Sequence, residues 1–385
     1  MRILILSSGT GGGHNARARA FKNWAAKLTP WEVDIFQALE DTHAVYRFGV
    51  NFYNYIQRTF PLLHHGYFNF LELVGLHRTS GLMLGRKKYV SVLRDFRPDV
   101  IVSTHAHLNH AFFDIARREL GRDSVRCVTY CGELAGGYGF SRHWVNPGVD
   151  LFIGSVEDTI DTAIRHGIDK DKTVTGGFLL DPEFYDNSYT AEECNQFVRE
   201  ELGLDPDEFI LLLAASAAGA NNHIRLLDAL RKHHTTVQVI VLCGHSPEML
   251  SRVLQWKDTQ STIKISAIPY TSDMGLLLRS VSAVVARPGS ATASEAVLCA
   301  CPIIFNGIGG IMPQELLTLR FARKHEFCSL IQRPDDLAEM INDLQNNPAK
   351  LETLSSRMKL ARPAGHPSEI LKSAVGESTS PAKIA

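Results

Sequence analysis

Three short stretches of this sequence combine glycines, hydroxyls and ionisable side chains at the ends of apolar runs. The first is Ser7-Ser8-Gly9-Thr10-Gly11-Gly12-Gly13-His14. Gly11, Gly12 and Gly13 follow a strand-like run and open a helix-like one, so backbone N–H groups and the helix dipole can face an anion. The loop is not the dinucleotide fingerprint, because His14 stands where the last glycine of G-x-G-x-x-G would be. A helix N-terminus lowers the pKa of an imidazole, which leaves a neutral ring able to accept a proton at physiological pH. The alternative is a plain Rossmann turn with a structural histidine.

The second stretch is Arg287-Pro288-Gly289-Ser290-Ala291-Thr292-Ala293-Ser294-Glu295. A Pro-Gly turn and a hydroxyl cluster at a helix start suit a diphosphate, and a carboxylate one turn in can take both hydroxyls of a ribose. Equally, Ser290 or Thr292 is only an N-cap and Glu295 its capping-box partner. The third stretch is the glycine loop from Asn306 to Met312 followed by Pro313, Gln314 and Glu315. The amide of Gln314 and the carboxylate of Glu315 can take sugar hydroxyls. A solvated helix start, with proline at the first turn and an acid beside it, is the other reading. His105, His107 and His110 form an H-x-H-x-x-H run with no adjacent carboxylate or thiol, a poor metal set.

The elements that must position these residues alternate in type. Ile3–Leu6 reads as a strand covered on both faces, and Glu32–Phe36, Val100–Ser103, Arg126–Tyr130 and Leu151–Ile153 read as further strands with helical patterns between them. A second series, Phe209–Ala214, Val237–Cys243, Lys264–Ile268, Ala283–Ala286 and Pro302–Phe305, begins after a polar, acidic stretch. This predicts an α/β protein with two Rossmann-like domains facing across a cleft: residues 1–180, a linker region at 181–208, and residues 209–375. The small, polar stretch 376–385 is expected to be disordered.

Composition narrows the class. The chain has 385 residues, 45% of them hydrophobic, and a net charge of −1, so it carries no basic field of the kind nucleic-acid binders use. Seven scattered cysteines without a CxxC pair argue against a disulfide framework and a structural zinc site. The first apolar run is short for a signal peptide, and no run reaches the roughly 18 residues of a membrane span. The reading is a cytoplasmic protein, peripheral at the inner face of the cell membrane. Between Tyr46 and Val92 aromatic residues crowd together (Phe48, Phe52, Tyr53, Tyr55, Phe60 and Tyr67 among them), followed by Arg86-Lys87-Lys88. These suit an anionic membrane surface or an apolar acceptor groove; the bland alternative is a helical insertion with an aromatic core.

Taken together and in this order, the stretches resemble inverting glycosyltransferases of the glycosyltransferase B fold, monogalactosyldiacylglycerol synthase and the processive diacylglycerol glucosyltransferases above all. The peptidoglycan N-acetylglucosaminyltransferase is a more distant likeness. The resemblance runs from about Ile3 to Ile341 and rests on Gly11 to His14, Pro98 to His105, Val174 to Phe178, Arg287 to Glu295, Pro302 to Asn306 and Gln314-Glu315.

The resemblance implies a hexosyltransferase that moves a sugar from a UDP-sugar to a diacylglycerol-like lipid, with no cofactor or active-site metal. Gly11, Gly12 and Gly13 would form the acceptor-side loop, and His14 or Glu133 the base. Gly219, Gly289, Ser290, Ala291 and Thr292 would meet the diphosphate, Arg287 would offset its charge, and Glu295 would take the ribose. Ile268 would lie near the uracil, and Gln314 with Glu315 would hold the donor sugar. Two departures stand out. Cys131-Gly132-Glu133-Leu134 replaces a Thr-Asp pair, and Ala215 to Ala220 is poor in glycine. A nucleotide-sugar 2-epimerase on the same fold and a non-catalytic nucleotide-sugar or lipid-binding protein are the alternatives. The sequence expects UDP-sugar, lipid and membrane as partners, not nucleic acid, and leaves the oligomeric state open.

Overall fold

The computed structural model describes residues 1–59, 61–74, 81–186, 189–214, 222–259 and 262–377. Gly219, and the segment 378–385 of the expected tail, lie outside the described residues. The chain forms two compact units, one built from residues 1–182, 312–318 and 363–377, the other from Glu183–Ile311 and Leu319–Arg362. The segments 312–318 and 363–377 pack with the first unit, although most of their sequence fell in the range 209–375 read as the second domain.

The first unit holds a six-stranded parallel sheet of β1 (Arg2–Ser7), β2 (Glu32–Gln37), β3 (Val100–Ser103), β4 (Arg126–Cys131), β5 (Leu151–Gly154) and β6 (Thr173–Thr175). Its order is β2-β1-β3-β4-β5-β6. The second unit holds β7 (Ile210–Leu213), β8 (Gln238–Leu242), β9 (Lys264–Ile268), β10 (Ala283–Ala286), β11 (Ile303–Asn306) and β12 (Ser329–Ile331), in the order β12-β11-β10-β7-β8-β9. The sequence predicts ten of these strands. Central strands such as β3, β7, β8 and β10 are buried at every residue, which is why they read as unbroken Val/Ile/Leu runs. The α/β class and the B fold expected from sequence are what the structure shows.

Each sheet has one switch point, where neighbouring strands lead off in opposite directions: β1 beside β3 in the first, β7 beside β10 in the second. Loops leaving the carboxyl ends of such strands diverge and leave a crevice for ligands. The glycine loop with His14 follows β1, and the Ser290 helix follows β10. Both candidate loops therefore sit at the switch point of their own sheet.

The insertion folds as helices Ala44–Thr59 and His64–Val74. Its aromatics are not simply core. Phe48 is 69% exposed and Phe70 58%, with Phe52 and Tyr55 exposed beside them, while Arg86, Lys87 and Lys88 are all exposed. Phe60 lies outside the described residues.

Candidate functional site

On the first unit the turn after β1 is set by Gly11 and Gly12, with φ of 70° and 82°, a left-handed backbone that favours glycine. Gly12 caps helix Gly13–Leu28 without a side-chain bond. The loop is tied down on all sides. Gly9 N–H donates to Glu40 Oε1 at 2.5 Å, and Gly11 N–H donates to Asn54 Oδ1 at 3.0 Å. Asn54 Nδ2 returns a bond to Gly9 O at 3.0 Å, and Thr10 Oγ1 meets His105 Nε2 at 2.9 Å. Two of the N–H groups expected to face an anion are therefore spent on side chains, one of them a carboxylate.

His14 stands at the first turn of that helix. Its Nδ1 lies 2.7 Å from the Thr104 carbonyl, in the loop after β3. A carbonyl only accepts, so Nδ1 carries the proton and Nε2 keeps its lone pair. Burial, then the Arg17 guanidinium, hold the imidazole down at about 4, against the Thr104 bond, which favours the charged form. The His105 ring packs edge-on with centroids 4.4 Å apart, and Trp144 lies at 6.0 Å.

Glu133 follows β4. Burial pushes its carboxyl up to about 7, while Arg17 and a hydrogen bond from the Trp144 indole pull the other way. Its main-chain carbonyl accepts from Ser155 Oγ at 2.5 Å and Thr159 Oγ1 at 2.7 Å, which pins the residue to the loop after β5. Arg17, three residues after His14 on the same helix face, is 6% exposed and donates to Gly132 O at 2.8 Å. Neither Arg17 nor Trp144 was singled out from the sequence. Arg17's spacing from His14 was the available signal, and for Trp144 there was none.

Gln314 and Glu315 also belong to this unit. Gln314 Nε2 donates to Tyr53 Oη at 2.7 Å, from the inner side of helix Ala44–Thr59. Glu315 is 3% exposed and accepts Met312 N–H at 2.8 Å, so a solvated helix start does not describe it. Burial, then the Glu133 and Glu315 carboxylates, push the Tyr53 phenol well above its usual range. Glu133, Tyr53, Gln314 and Glu315 are thus near neighbours. Tyr53 and Asn54, like Arg17, gain their parts from tertiary contacts.

On the second unit, helix Ser290–Cys299 opens after β10 with Gly289 as N-cap and no side-chain cap bond. Ser290 and Thr292 are therefore not N-caps, and the capping-box alternative for Glu295 fails. Ala293 N–H is bonded back to Gly289 O at 3.0 Å, so the N–H groups of Ser290, Ala291 and Thr292 precede the first helical bond. A Cβ placed on Gly289 would meet nothing within 4 Å, which leaves open space over that end. Ser290, Ala291, Thr292 and Glu295 are all partly exposed.

Arg287 reaches the loop after β11. Its Nη1 donates to Ile308 O at 3.1 Å and its Nη2 to Gly310 O at 2.7 Å, which joins the loops after β10 and β11. Ile268 ends β9, and its carbonyl accepts Cys243 N–H at 2.8 Å. Among the described residues no group of three or more His, Cys, Asp or Glu side chains could hold a metal ion, the His105 run included.

Known proteins show the same two halves. Residues 14–178 match the monogalactosyldiacylglycerol (MGDG) synthase family, and residues 190–366 match the glycosyltransferase family 28 C-terminal domain. The chain is a glycosyltransferase of the B fold. It is 21% identical to a processive diacylglycerol beta-glucosyltransferase of Staphylococcus epidermidis over 366 residues, covering 93% of this chain and 88% of that one. It is 24% identical to monogalactosyldiacylglycerol synthase 3, chloroplastic, of Arabidopsis thaliana, covering 94% of this glycosyltransferase and 78% of the plant protein. Among solved structures, Acinetobacter baumannii MurG superposes with a TM-score of 0.58 at 13% identity, over 97% of this chain and 98% of that one. Anabaena HepE in complex with UDP-glucose does so with a TM-score of 0.57 at 17% identity, with the same coverage. No helix among the described residues is long and apolar enough to cross a membrane.

Proposed function

We propose that this glycosyltransferase moves a hexose from a UDP-sugar to a diacylglycerol-like lipid at a membrane surface, with inversion at the anomeric carbon. The observation that carries this reading is the tautomer of His14. With Nδ1–H spent on Thr104 O, Nε2 is a neutral acceptor that can take the proton of an attacking hydroxyl. The acceptor oxygen attacks the anomeric carbon, the bond from that carbon to the diphosphate oxygen breaks, and the hydroxyl proton goes to His14. In this reading Glu133 is a carboxyl group near the base rather than the base itself.

On the donor side, the uncapped start of helix Ser290–Cys299 is suited to the charge that builds on the leaving diphosphate. Glu295, one turn in, would take the ribose hydroxyls, Ile268 would lie near the base, and Gln314 with Glu315 would hold the sugar. Arg287 serves this site by fixing the two loops. UDP-glucose in Anabaena HepE and the lipid substrates in the relatives' names agree with this assignment.

The membrane side is supported by helix Ala44–Thr59. Val45, Phe48, Phe52 and Tyr55 recur at helical spacing and are all exposed, with Arg86, Lys87 and Lys88 exposed as well. An apolar face with a basic cluster suits an anionic lipid surface. Labelled UDP-glucose and UDP-galactose incubated with extracted lipid test the reading. Label in a lipid product is expected. An isomerised donor would support a 2-epimerase instead, and no change in the donor a binding protein.

A further inference from the structure

The Gln314 amide has its nitrogen engaged and its oxygen open. Nε2 donates to Tyr53 Oη at 2.7 Å and lies 4.0 Å from Met312 Sδ, while Oε1 is buried with no hydrogen-bond partner among the described residues. A thioether only accepts, so the nitrogen belongs on the side where Met312 and Tyr53 stand. The phenol keeps its own proton, because burial, then the nearby Glu133 and Glu315 carboxylates, push its pKa well above the usual range. Those carboxylates also draw that proton towards themselves, which leaves an Oη lone pair for the amide. The ring is wedged in place as well. His64, 1% exposed, packs edge-on with centroids 4.7 Å apart, and Tyr67 lies at 6.2 Å, both from helix His64–Val74.

We propose that Tyr53 is a positioning residue that sets donor-sugar specificity, by holding the Gln314 amide so that Oε1 is left as the acceptor for one hydroxyl of the sugar. This deepens the proposed function and rests on its assignment of Gln314 to the donor sugar. A free carboxamide is ambiguous, since a half-turn about its last bond exchanges donor for acceptor. Pinned by Tyr53, it is not. An O–H at that position is paired, whereas a fluorine cannot donate, meets a second acceptor and leaves Oε1 buried and unpaired. The same stretch of helix Ala44–Thr59 also holds the loop that leads into His14. The next residue, Asn54, accepts Gly11 N–H at 3.0 Å and donates to Gly9 O at 3.0 Å, so two consecutive side chains fix the Gln314 amide and the glycine loop.

The test uses the full chain with diacylglycerol in detergent micelles, UDP-glucose or UDP-galactose as donor, and the 3-, 4- and 6-deoxyfluoro analogues of that donor. The readout is the ratio of kcat/KM for the parent donor to that for each analogue. It is taken within one protein, so a smaller folded fraction cancels. The inductive pull of fluorine on the reacting carbon is common to all variants and cancels between them. Tyr53→Phe keeps the ring between His64 and Tyr67 but frees the amide, and should lower the ratio about tenfold at one position with the other two unchanged. Gln314→Met should lower the ratio at the same position, and Tyr53→Phe added to it should change nothing further. A ratio kept by Tyr53→Phe, or lowered at all three positions alike, would overturn the role of Tyr53, and Gln314→Met alone then says whether Gln314 stays on the sugar. No transfer from either parent donor by the wild type would overturn the transferase reading along with it.

Discussion

The Arg17 guanidinium donates to the Gly132 carbonyl across 2.8 Å. A Cβ on Gly132 would fall 2.0 Å from Arg17 Nε, so this close approach requires glycine there. The bond sets one buried cation against two groups that could each serve as a base. It disfavours a charged His14 and favours a charged Glu133, and so lowers both pKa values.

Those shifts separate the two candidates by pH. A base works deprotonated, so its rate limb falls below its own pKa. With His14 at about 4, kcat should stay level as pH drops from 8 towards 5. Were Glu133 the base, kcat would fall about tenfold per unit below its pKa of about 7. A pH profile of kcat at saturating donor and acceptor decides the matter, and His14→Ala should lower kcat far more than donor affinity.

Arg17→Met removes the cation and leaves the Gly132 carbonyl buried without its donor. The unfolding free energy should drop by about 2 kcal/mol. With its like-charge neighbour gone, His14 should titrate higher, so the acid limb of kcat should move up in pH. If the limb stays where it is in the wild type, Arg17 does not act on the base.

How much of this could be read beforehand follows from where each signal resides. Ten strands announced themselves, the central ones as apolar runs because strands covered on both faces must be apolar at every position, and the partly exposed edge strands β2 and β9 through Val33, Ile35 and Phe36 and through Ile265 and Ile268. The two that did not, β6 (Thr173–Thr175) and β12 (Ser329–Ile331), are three-residue edge strands, partly exposed and paired on one side only. Glycine loops and helix starts were legible for a similar reason, since turn chemistry is local. Arg17, Tyr53, Asn54 and Trp144 were not, because each matters through a residue distant in sequence: Gly132, Gln314, Gly11 and Glu133 in turn.

The donor assignment is tested by Glu295→Ala. Its side chain is partly exposed at the helix surface, so the fold should survive the change. Losing hydrogen bonds from two ribose hydroxyls to a carboxylate should raise donor KM by about tenfold or more, with kcat less affected. Isothermal titration with UDP checks the same point, and unchanged affinity would remove Glu295 from the ribose.

Membrane contact is tested by sedimentation with vesicles. Phe48→Ser with Phe52→Ser should reduce binding to anionic vesicles, since each ring withdraws an exposed apolar face from water. Lys87→Glu should weaken binding chiefly at low salt, by about 1 kcal/mol or more, and matter less as salt screens the surface. Equal binding by all variants would remove the insertion from the interface.

Stability should depend on pH through a histidine remote from the reaction. His223 is 4% exposed, its Nε2 lies 3.1 Å from the Leu242 carbonyl, and burial lowers its pKa from 6.5 to about 4. The unfolded chain therefore takes up a proton at this position below pH 6.5 while the folded chain resists until about 4. The stability due to the neutral ring is fully present above 6.5 and is lost as pH falls through the folded value, a change of about 3 kcal/mol by pH 4. His14 and His64, held at about 4 as well, act in the same direction. Urea unfolding at pH 7 and pH 4.5 should show a lower midpoint in acid. His223→Gln, whose amide can still reach the Leu242 carbonyl but does not titrate, should narrow that gap; an unchanged gap would mean that His223 binds its proton equally in both states.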